Sequence, residues 1–529
     1  GVASARLRKV LGHLQAGQDG LMREQRSLQA SPTAGGTALQ NWINGAPDAP
    51  SATRSFAVID PADGSTIAQC PLSSKSDVDK AVRAAAAAFP EWSATTVKQR
   101  AQVLFKFKHL LEAHADELSD IIVREHGKCK PEALASLAKG IETVEYACSL
   151  PQLLPGKLLE VSVGVECKEY RDPIGVVASV VPFNFPAMVP LWTIPIAIGC
   201  GNTMVFKPSE KVPLTVMRMA ELLQEAGCPK GVFNVVLGDR EVAEALADHP
   251  GITAFTFVGS TAVAKALHLR ATQAGKRAIC LGGAKNHLVA LEDCAVDMAA
   301  SDICASFAGS AGQRCMAASV LLIVGEQQAL LDAVVAKATA MQAGQKEMGQ
   351  IGPVIDKAAL DRITRYITEA EAAGAKVLLD GRAWTGKANG GKGFWVGPTV
   401  LLHSSPDCAA MQEEIFGPVL SVCRVASGTE ALAIEHRSPY GNAACVYTSS
   451  GELADFYSKR FRSAMVGVNI GIPVPREPFG FGGMNASKFG GPMDLTGDGG
   501  IEFFTMRRKV TSKWAPSKDR SLVSRAFIN

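Results

Sequence analysis

Residues 173–207 decide the fold and read PIGVVASVVPFNFPAMVPLWTIPIAIGCGNTMVFK. β-Branched and apolar residues dominate 175–181 and again 203–207, and a segment of helical length, 186–200, separates the two runs. Strands that alternate with helices of this length are typical of βαβ units in a parallel sheet. The stretch therefore predicts an α/β fold, with a Pro-flanked loop around Asn184 at the carboxyl end of the first strand.

No residue from Pro173 to Phe206 is charged, a pattern that superficially suggests a membrane span. The stretch is interrupted, however, by prolines at positions 173, 182, 186, 190 and 195. A lipid-exposed helix with so many breaks would leave backbone groups without hydrogen bonds. We therefore predict a buried strand–loop–helix–strand unit and no membrane segment.

The same alternation continues along the chain in two regions, after a largely helical span from Ser76 to Cys148. The first region adds predicted strands at 232–237 and 253–258 and helices at 213–226, 241–248 and 261–273. The second region has predicted strands at 287–291, 318–324 and 419–424 and helices at 295–308, 327–341 and 357–373. The pattern predicts two doubly wound α/β domains.

Two strand-rich pieces with alternating charge, 158–172 and 501–514, look like arms that leave the body of the protein. Exposed strand edges need partners, so the arms predict a homo-oligomer, either a dimer or a dimer of dimers. Residues 31–52 are rich in Gly, Ala, Pro and Ser and are interpreted as a connector. The predicted boundaries are an amino-terminal extension at 1–36, a first α/β domain at 37–157 and 173–286, a second at 287–498, arms at 158–172 and 499–515, and a tail at 516–529.

Composition excludes several classes of protein. The 529 residues contain 54 Lys plus Arg and 51 Asp plus Glu, a net charge of +3, which argues against a dedicated nucleic-acid-binding protein. The motifs GxGxxG, GxxxxGK[ST], GxSxG and HExxH are all missing, so classical Rossmann enzymes, P-loop NTPases, α/β-hydrolases with the usual elbow and zincins lose support. The thirteen cysteines include no CxxC pair, which favours reduced thiols in an intracellular protein and predicts no metal site.

Residues 1–30 carry five basic and two acidic side chains, and Leu7, Val10, Leu11 and Leu14 fall on one helical face. An Arg-bearing, acid-poor amphipathic start is typical of a presequence, so we predict a presequence remnant and a mitochondrial matrix location. The alternative is a simple extension on a cytoplasmic enzyme.

Five motifs together identify a family. They are Pro182-Phe183-Asn184-Phe185-Pro186, Lys207-Pro208-Ser209-Glu210, Phe257-Val258-Gly259-Ser260, Gly312-Gln313-Arg314-Cys315 and Glu413-Glu414-Ile415-Phe416-Gly417-Pro418. Their order and spacing resemble the NAD(P)-dependent aldehyde dehydrogenase superfamily over residues 40–515. Within it, the segments Gly283–His287, Cys315–Ala317 and Ile472–Pro475 followed by Phe479 resemble the CoA-acylating methylmalonate-semialdehyde dehydrogenases.

The resemblance implies that the first α/β domain binds NAD, that the second is catalytic, and that Cys315 is the nucleophile. Oxidation through a thioester needs a thiolate whose pKa is lowered by positive charge or helix dipoles, and Arg314 is adjacent in sequence. Asn184 and the backbone N–H of Cys315 would hold the oxyanion. The alternative for Cys315 is a buried apolar thiol without a catalytic role, and the alternative for Asn184 is an amide that caps its loop.

The resemblance also implies a set of cofactor-binding residues. Lys207 and Glu210 would hold the adenosine ribose, and Glu210 favours NAD over NADP, although Lys207 and Lys211 leave that choice open. Ser260 opens a helix that can present N–H groups to the pyrophosphate. Glu414 and Phe416 would hold the nicotinamide ribose and ring. The remaining cofactor-site members are Val181, Phe183 and Gly282.

One departure distinguishes this chain from hydrolytic aldehyde dehydrogenases, which carry Glu-Leu-Gly-Gly-Lys with the Glu as general base. Here the five residues are Leu281 to Lys285, and no acid occurs between Arg277 and Leu291. An apolar side chain cannot take a proton from water, so the thioester must await another acceptor, the CoA thiol. A base from elsewhere, such as Glu414, is the alternative.

A second departure concerns the substrate. By resemblance, Arg314 would pair bidentately with the substrate carboxylate, and a second arginine would lie where this chain has Lys139. Lysine keeps the charge but lacks the planar fork, which leaves the identity of the aldehyde open.

The sequence thus predicts NAD-dependent, CoA-acylating oxidation of malonate or methylmalonate semialdehyde to acetyl-CoA or propionyl-CoA with loss of CO2, in valine, pyrimidine or related catabolism. The rival hypotheses are a hydrolytic aldehyde dehydrogenase, an enzyme for a different semialdehyde, and a catalytically quiet nucleotide-binding scaffold.

Overall fold

The computed structural model describes residues 36–51 and 53–514. The strands are β1 Thr37–Ala38, β2 Asn41–Ile43, β3 Ala46–Asp48, β4 Ser55–Ile59, β5 Thr66–Pro71, β6 Lys157–Ser162, β7 Val165–Pro173, β8 Val176–Val180, β9 Thr203–Lys207, β10 Phe233–Val235, β11 Ala254–Val258, β12 Arg277–Leu281, β13 Asn286–Ala290, β14 Ala318–Val324, β15 Gln342–Ala343, β16 Gln350–Ile351, β17 Lys376–Leu379, β18 Thr399–His403, β19 Val419–Val425, β20 Ala443–Tyr447, β21 Met465–Val468, β22 Lys488–Gly490 and β23 Thr505–Lys513. The helices are α1 Lys75–Ala94, α2 Val97–Ala113, α3 Ala115–His126, α4 Lys130–Cys148, α5 Leu150–Leu153, α6 Met188–Gly199, α7 Leu214–Glu225, α8 Arg240–Asp248, α9 Thr261–Gln273, α10 Val296–Ala308, α11 Gln328–Thr339, α12 Lys357–Ala372, α13 Ala409–Gln412, α14 Gly428–Arg437, α15 Gly451–Ser458 and α16 Gly497–Phe504. The predicted extension at 1–36 lies outside these residues except for Gly36, and so does the tail at 516–529.

The first sheet contains the strands predicted from the deciding stretch. Its order is β22-β12-β11-β8-β9-β10-β2-β3, and the five central strands are parallel. Strands β8 and β9 are buried along their whole length because helices cover both faces, which explains their uncharged sequence. The carboxyl ends of these parallel strands form the edge where the Asn184 loop emerges.

Two predictions about the first sheet are wrong. The predicted connector at 31–52 contains β2 and β3, which extend this sheet, because Asn41, Trp42 and Ile43 are buried against it. The predicted second domain at 287–498 contributes β22, which crosses over to pair antiparallel with β12. The predicted boundary between the two α/β domains is therefore crossed by one short strand.

The second sheet has the order β17-β18-β19-β14-β13-β20-β21 and is parallel except for its edge strand β17. The three predicted strands in this region are confirmed as β13, β14 and β19, at the centre of the sheet. Helices α10 and α12 cover one face, where residues such as Ile303 and Ile363 are buried. The doubly wound α/β architecture is thus present twice.

The arm is an antiparallel three-stranded sheet of order β23-β7-β6. The strands predicted at 158–172 are confirmed, but the second arm begins at Thr505 rather than at 499 or 501. Residues 497–504 form helix α16, whose Ile501, Phe503 and Phe504 are buried against the body. Every residue of β6 is exposed, and Leu158 and Leu159 each expose 64% of their surface.

The helical span before the first sheet forms four helices, α1 to α4, because local capping signals divide it. Ser74 and Asp77 form a capping box at the start of α1, and Thr96 and Gln99 form another at the start of α2. Gly127 ends α3 in the left-handed conformation. Throughout 36–51 and 53–514, no helix has the length and apolar character needed to cross a membrane.

Candidate active site

Residues 309–317 join α10 to β14 and carry the predicted nucleophile Cys315; we call them the nucleophile loop. Ser310 and Ala311 adopt left-handed conformations with φ of 52°, and Gly312 follows with φ of 70°. A Cβ atom on Gly312 would lie 2.0 Å from the carbonyl oxygen of Gly417, so only glycine permits this approach. The close contact fixes Cys315 beside the segment that carries Glu414 and Phe416.

A cavity of about 360 Å³ lies between the two sheets, where the carboxyl ends of β8, β11 and β12 face the nucleophile loop. It brings together seven of the residues predicted for the site, namely Phe183, Asn184, Ser260, Gly282, Cys315, Glu414 and Phe416. Trp192 of α6 and Arg362 of α12 also line it, and sequence reasoning missed both. Neither residue belongs to one of the five motifs. Each lies on a helix that also contributes residues to the core, so nothing in the local sequence marks it as part of a site.

Asn184 is held tightly in its loop. Its Nδ2 donates to the Gln313 carbonyl oxygen at 3.1 Å, and its own backbone carbonyl accepts from Lys128 Nζ at 2.9 Å. Asn184 is 4% exposed, and Lys128, also buried, lies 4.3 Å from the centre of the Phe185 ring. The Nδ2 group can donate a second hydrogen bond towards the cavity that it shares with Cys315.

The surroundings of Cys315 do not favour its thiolate. Burial raises the pKa of the Cys315 thiol to about 12, and the Glu414 carboxylate raises it further, against the opposing effect of the N–H groups of Cys315 and Met316. The prediction that neighbouring positive charge lowers this pKa is therefore wrong. The physical reason is that Arg314, although adjacent in sequence, is directed away from the thiol.

Arg314 is instead paired with Glu132 of α4. Its Nη2 donates to Glu132 Oε1 at 2.9 Å, and its Nη1 donates to the Ala305 carbonyl oxygen at 3.2 Å. The guanidinium lies against Gly309, where a Cβ atom would come within 2.5 Å of Nη1. Glu132 Oε1 also accepts from the backbone N–H of Ser310 at 2.8 Å, so one carboxylate holds both the arginine and the nucleophile loop.

A second cavity, of about 600 Å³, lies on the opposite side of the Asn184 loop and is mostly apolar. Arg314, Lys139 and Lys337 are the positively charged side chains that line it, with Ile472 and Val474 opposite. We call it the aldehyde-side cavity. The two predicted substrate-binding residues are thus brought together, but Lys139 Nζ is paired with Glu142 Oε2 at 2.6 Å.

Four predicted cofactor residues lie outside the first cavity, at the ends of β8 and β9. Lys207 is 4% exposed, and its Nζ donates to the Pro208 carbonyl oxygen at 2.9 Å and to Glu210 Oε2 at 3.3 Å. Lys211 pairs with Asp356 at 2.5 Å and lies over the Phe183 ring. Val181 is 5% exposed and packs in the core, so only its backbone can face a ligand.

One feature of the cavity suits the phosphates of a dinucleotide. Helix α9 begins beside it with Ser260 at the N-cap position, and no side chain caps its first N–H groups, which leaves them free for a phosphate. A Cβ on Gly282 would come within 2.7 Å of the Ala486 carbonyl oxygen, and one on Gly283 within 2.2 Å of Glu414 Oε2. Gly282 therefore allows close packing against Ala486, and Gly283 leaves space for the Glu414 carboxylate at the cavity wall.

Glu414 is the only carboxylic acid among the described residues that line the first cavity. Its Oε1 accepts from the Ala284 N–H at 3.0 Å, and burial raises its pKa to about 7. Leu281, at the position of the missing general base, is 3% exposed and packs in the core. In the described parts of the chain no cluster of His, Cys, Asp or Glu could hold a metal ion, and all thirteen cysteines are free thiols.

The fold and the site define an aldehyde dehydrogenase. Residues 49–510 match the Aldehyde dehydrogenase family, and the chain belongs to that family. It is 43% identical over 480 residues to malonate-semialdehyde dehydrogenase 2 of Bacillus anthracis, covering 90% of this chain and 98% of the relative. It is 43% identical over 484 residues to the malonate-semialdehyde dehydrogenase of Pseudomonas aeruginosa, covering 90% and 96%.

Solved structures agree. The methylmalonate-semialdehyde dehydrogenase of Oceanimonas doudoroffii superimposes with a TM-score of 0.88 at 42% identity, over 91% of this chain and 99% of that one. A structure of the same enzyme class from Sinorhizobium meliloti 1021, complexed with NAD, gives a TM-score of 0.90 at 38% identity, over 92% and 100%. The predicted aldehyde dehydrogenase fold is confirmed.

Proposed function

We propose that this protein catalyses the NAD-dependent, CoA-acylating oxidation of malonate or methylmalonate semialdehyde to acetyl-CoA or propionyl-CoA, with release of CO2 and formation of NADH. The observation that carries the proposal is that Cys315 and Asn184 line one cavity, whereas Leu281, which stands at the general-base position of the sequence, is buried in the core. The names of the malonate- and methylmalonate-semialdehyde dehydrogenases that it resembles support the substrate class.

Cys315 begins the reaction by giving up its proton and attacking the aldehyde carbon. Glu414, with a pKa raised to about 7, is the cavity carboxylate that can accept this proton near neutral pH. The developing oxyanion accepts hydrogen bonds from Asn184 Nδ2 and the Cys315 N–H, a contribution of about 3 kcal/mol in comparable sites. NAD, when bound, supplies the acceptor for the hydride that the tetrahedral intermediate loses, and a thioester remains on Cys315.

The residues placed to hold NAD are those at the ends of the parallel strands. The first N–H groups of α9, next to Ser260, would hold the pyrophosphate, and Glu210 with Lys207 would hold the adenosine ribose. Phe416, Glu414 and Gly282, which line the cavity, would hold the nicotinamide end. Phe183 would line the same site with Lys211 over its ring, and Val181 would contribute only its backbone.

Cleavage of the thioester then depends on an incoming thiol. Leu281 cannot activate water, so hydrolysis is slow, whereas the CoA thiol can attack the thioester without that base. Loss of CO2 from the β-carboxyl acyl group is proposed from the resemblance to the relatives. On the substrate, Arg314 and Lys139 are the cations of the aldehyde-side cavity that can face the carboxylate.

A second function is favoured by one observation, the Glu414 carboxylate beside Cys315. With its raised pKa, Glu414 is able to accept a proton from water near neutral pH, and that water would then hydrolyse the thioester. The protein would in that case be a hydrolytic aldehyde dehydrogenase. Because Lys139 stands in place of the second family arginine and is paired with Glu142, a different semialdehyde is the other candidate substrate. CoA dependence of turnover separates these functions.

We also propose a homo-oligomer held by the arms, since Leu158, Leu159 and Val163 are exposed on the arm, and the outer edge of β6 pairs with no other strand among the described residues. The mitochondrial location stays a prediction from residues 1–30, which lie outside the described part of the chain, and the relatives named above are bacterial. Size-exclusion chromatography with light scattering tests the first proposal.

The decisive test measures NADH formation from malonate and methylmalonate semialdehyde with and without CoA, with analysis of the acyl product. We expect a burst of about one NADH per active site without CoA and sustained turnover only with it, yielding CO2 and an acyl-CoA. Full turnover to a free acid without CoA would replace this proposal with the hydrolytic function.

A further inference from the structure

The cations that line the aldehyde-side cavity are each neutralised by a carboxylate. Lys139 pairs with Glu142 at 2.6 Å, Arg314 with Glu132 at 2.9 Å, and Lys337 with Asp297 at 2.8 Å. A substrate carboxylate that enters this cavity would therefore meet cations that already have an anionic partner. Their combined attraction for a further anion is weak unless another positive charge is present.

Arg476 supplies that charge. It follows Val474, which lines the cavity, by two residues, and its Nε lies 3.9 Å from Glu142 Oε2, the same oxygen that accepts from Lys139. Lys139 and Arg476 thus share the Glu142 carboxylate, and within the described residues Arg476 is the one of the four cations with no carboxylate oxygen closer than 3.9 Å. The side chain of Arg476 is 69% exposed and, within the described residues, it makes no hydrogen bond.

The backbone next to Arg476 is anchored to the helix that carries Lys139. Glu477 Oε1 accepts from Thr143 Oγ1 at 2.7 Å, and Thr143 and Glu142 are neighbours on α4. This bond holds the loop beside helix α4, so Arg476 stands close to Lys139 without a strong partner of its own. Its guanidinium donors are free to form the planar, bidentate contact that a lysine amine cannot form.

We infer that Arg476, acting with Lys139 across Glu142, binds the carboxylate of the semialdehyde and determines the preference for carboxylated aldehydes. The inference rests on the proposed function and names a specificity residue for it. Arg476 takes over the fork that is missing at position 139, while Arg314 mainly holds Glu132 and the nucleophile loop. The shared Glu142 keeps both cations together when no anion is bound.

The experiment compares malonate semialdehyde with propanal, an uncharged aldehyde of similar length, in steady-state NADH formation over a range of aldehyde and CoA concentrations. The variants are Arg476→Leu and Arg476→Lys in the full chain. We expect Arg476→Leu to lower kcat/KM for malonate semialdehyde about tenfold or more and to change the value for propanal less than twofold. Arg476→Lys should fall between the wild type and the leucine variant.

Arg365→Leu is the matched control. Arg365 Nε lies 3.9 Å from Glu369, and its side chain is 62% exposed, so it matches Arg476 in geometry and exposure but lies on α12 outside the aldehyde-side cavity. Its removal should leave both substrates unaffected. A similar loss in Arg365→Leu would show that a general change in surface charge causes the effect, and would overturn the inference.

Other outcomes also decide. Equal losses on both aldehydes in Arg476→Leu would show a structural role, and a rise confined to the KM for CoA would assign Arg476 to CoA phosphates; either result overturns the inference and leaves the proposed function intact. If the wild type shows no preference for the semialdehyde over propanal, the proposed function itself fails, and the inference falls with it.

Discussion

Lys128 Nζ donates to the backbone carbonyl of Asn184 at 2.9 Å, across 56 positions of sequence, and so fixes the loop that carries this proposed oxyanion donor. Burial lowers the pKa of Lys128 to about 7, and only 1% of the lysine is exposed to solvent. Lys128 is thus a positioning residue that acts through Asn184. Its position within the aldehyde dehydrogenase site gives a first prediction.

Lys128→Met should slow the NADH burst by about 10- to 100-fold, because a displacement of about 1 Å of a positioned group costs a factor of that size. KM for the aldehyde should change little, since the lysine does not line the aldehyde-side cavity. Stopped-flow absorbance measures the burst. Lys130→Met is the control, because Lys130 pairs with Asp120 at the surface and should keep the wild-type rate. An unchanged burst in Lys128→Met would contradict the positioning role.

Cys315→Ala should abolish the burst, with a loss of at least about 1000-fold, because no thioester can form. Intact-protein mass spectrometry after incubation with semialdehyde and NAD, without CoA, should find an acyl adduct on the wild type only. Cys408→Ala is the matched control, because Cys408 is half-buried like Cys315 and bonds His403 instead. An adduct that persists in Cys315→Ala would assign the nucleophile elsewhere.

Leu281→Glu should create slow CoA-independent turnover, because it restores the carboxylate that hydrolytic aldehyde dehydrogenases carry as general base at this position. The free acid, measured by chromatography, is the expected product, at a rate about tenfold or more above the wild type without CoA. Leu281→Gln is the control for burying a polar side chain, and it should keep the burst without gaining hydrolysis. If both variants behave alike, the absence of an acid at this position does not explain CoA dependence.

Glu414→Gln should stabilise the protein more at pH 8 than at pH 5. Burial raises the pKa of Glu414 to about 7. At low pH this carboxyl is protonated in both the folded and the unfolded chain, so it has no effect on stability. Above pH 7 it is ionised in both states, and the unfavourable ionisation in the folded state then lowers the free energy of unfolding by its full amount. A glutamine resembles the protonated form and escapes this cost. Scanning calorimetry should show a gain in Tm of about 2 °C at pH 8 and little at pH 5.

Glu413→Gln provides the comparison, because Glu413 bonds the Tyr366 hydroxyl and is not held in the cavity wall. It should lose a little stability, to the same extent at both pH values. If the gain in Tm of the Glu414→Gln variant were the same at pH 5 and pH 8, the pKa of Glu414 would not be raised in the folded protein.

The deciding stretch predicted the βαβ core because strands β8 and β9 lie in a continuous apolar run bounded by turn residues. Strand β22 could not be predicted, since its three residues acquire their conformation only by pairing with β12, about 200 positions earlier. Helix α16 was missed for a related reason: the spacing of Ile501, Phe503 and Phe504 suits a strand as well as a helix, and contact with the body decides between them.

The motifs predicted which residues meet in the cavity, because the ends of parallel strands share one edge of a sheet. They did not predict electrostatic partners. The Arg314–Glu132 pair joins residues 182 positions apart, and nothing in the local sequence shows that Arg314 turns from Cys315 to α4. The orientation of Arg314 is therefore determined by a long-range ion pair, which the local motifs do not predict.

The left-handed conformations of Ser310 and Ala311 have a consequence for how this enzyme can change over evolutionary time. Each non-glycine residue held in that region costs about 1–2 kcal/mol, and the contacts of Glu132 and Gly417 maintain it. Substitutions that relax the loop would raise thermal stability while they displace the thiol, so stability and turnover are opposed at this point. Selection for heat resistance should therefore improve other parts of the molecule and leave these two residues strained.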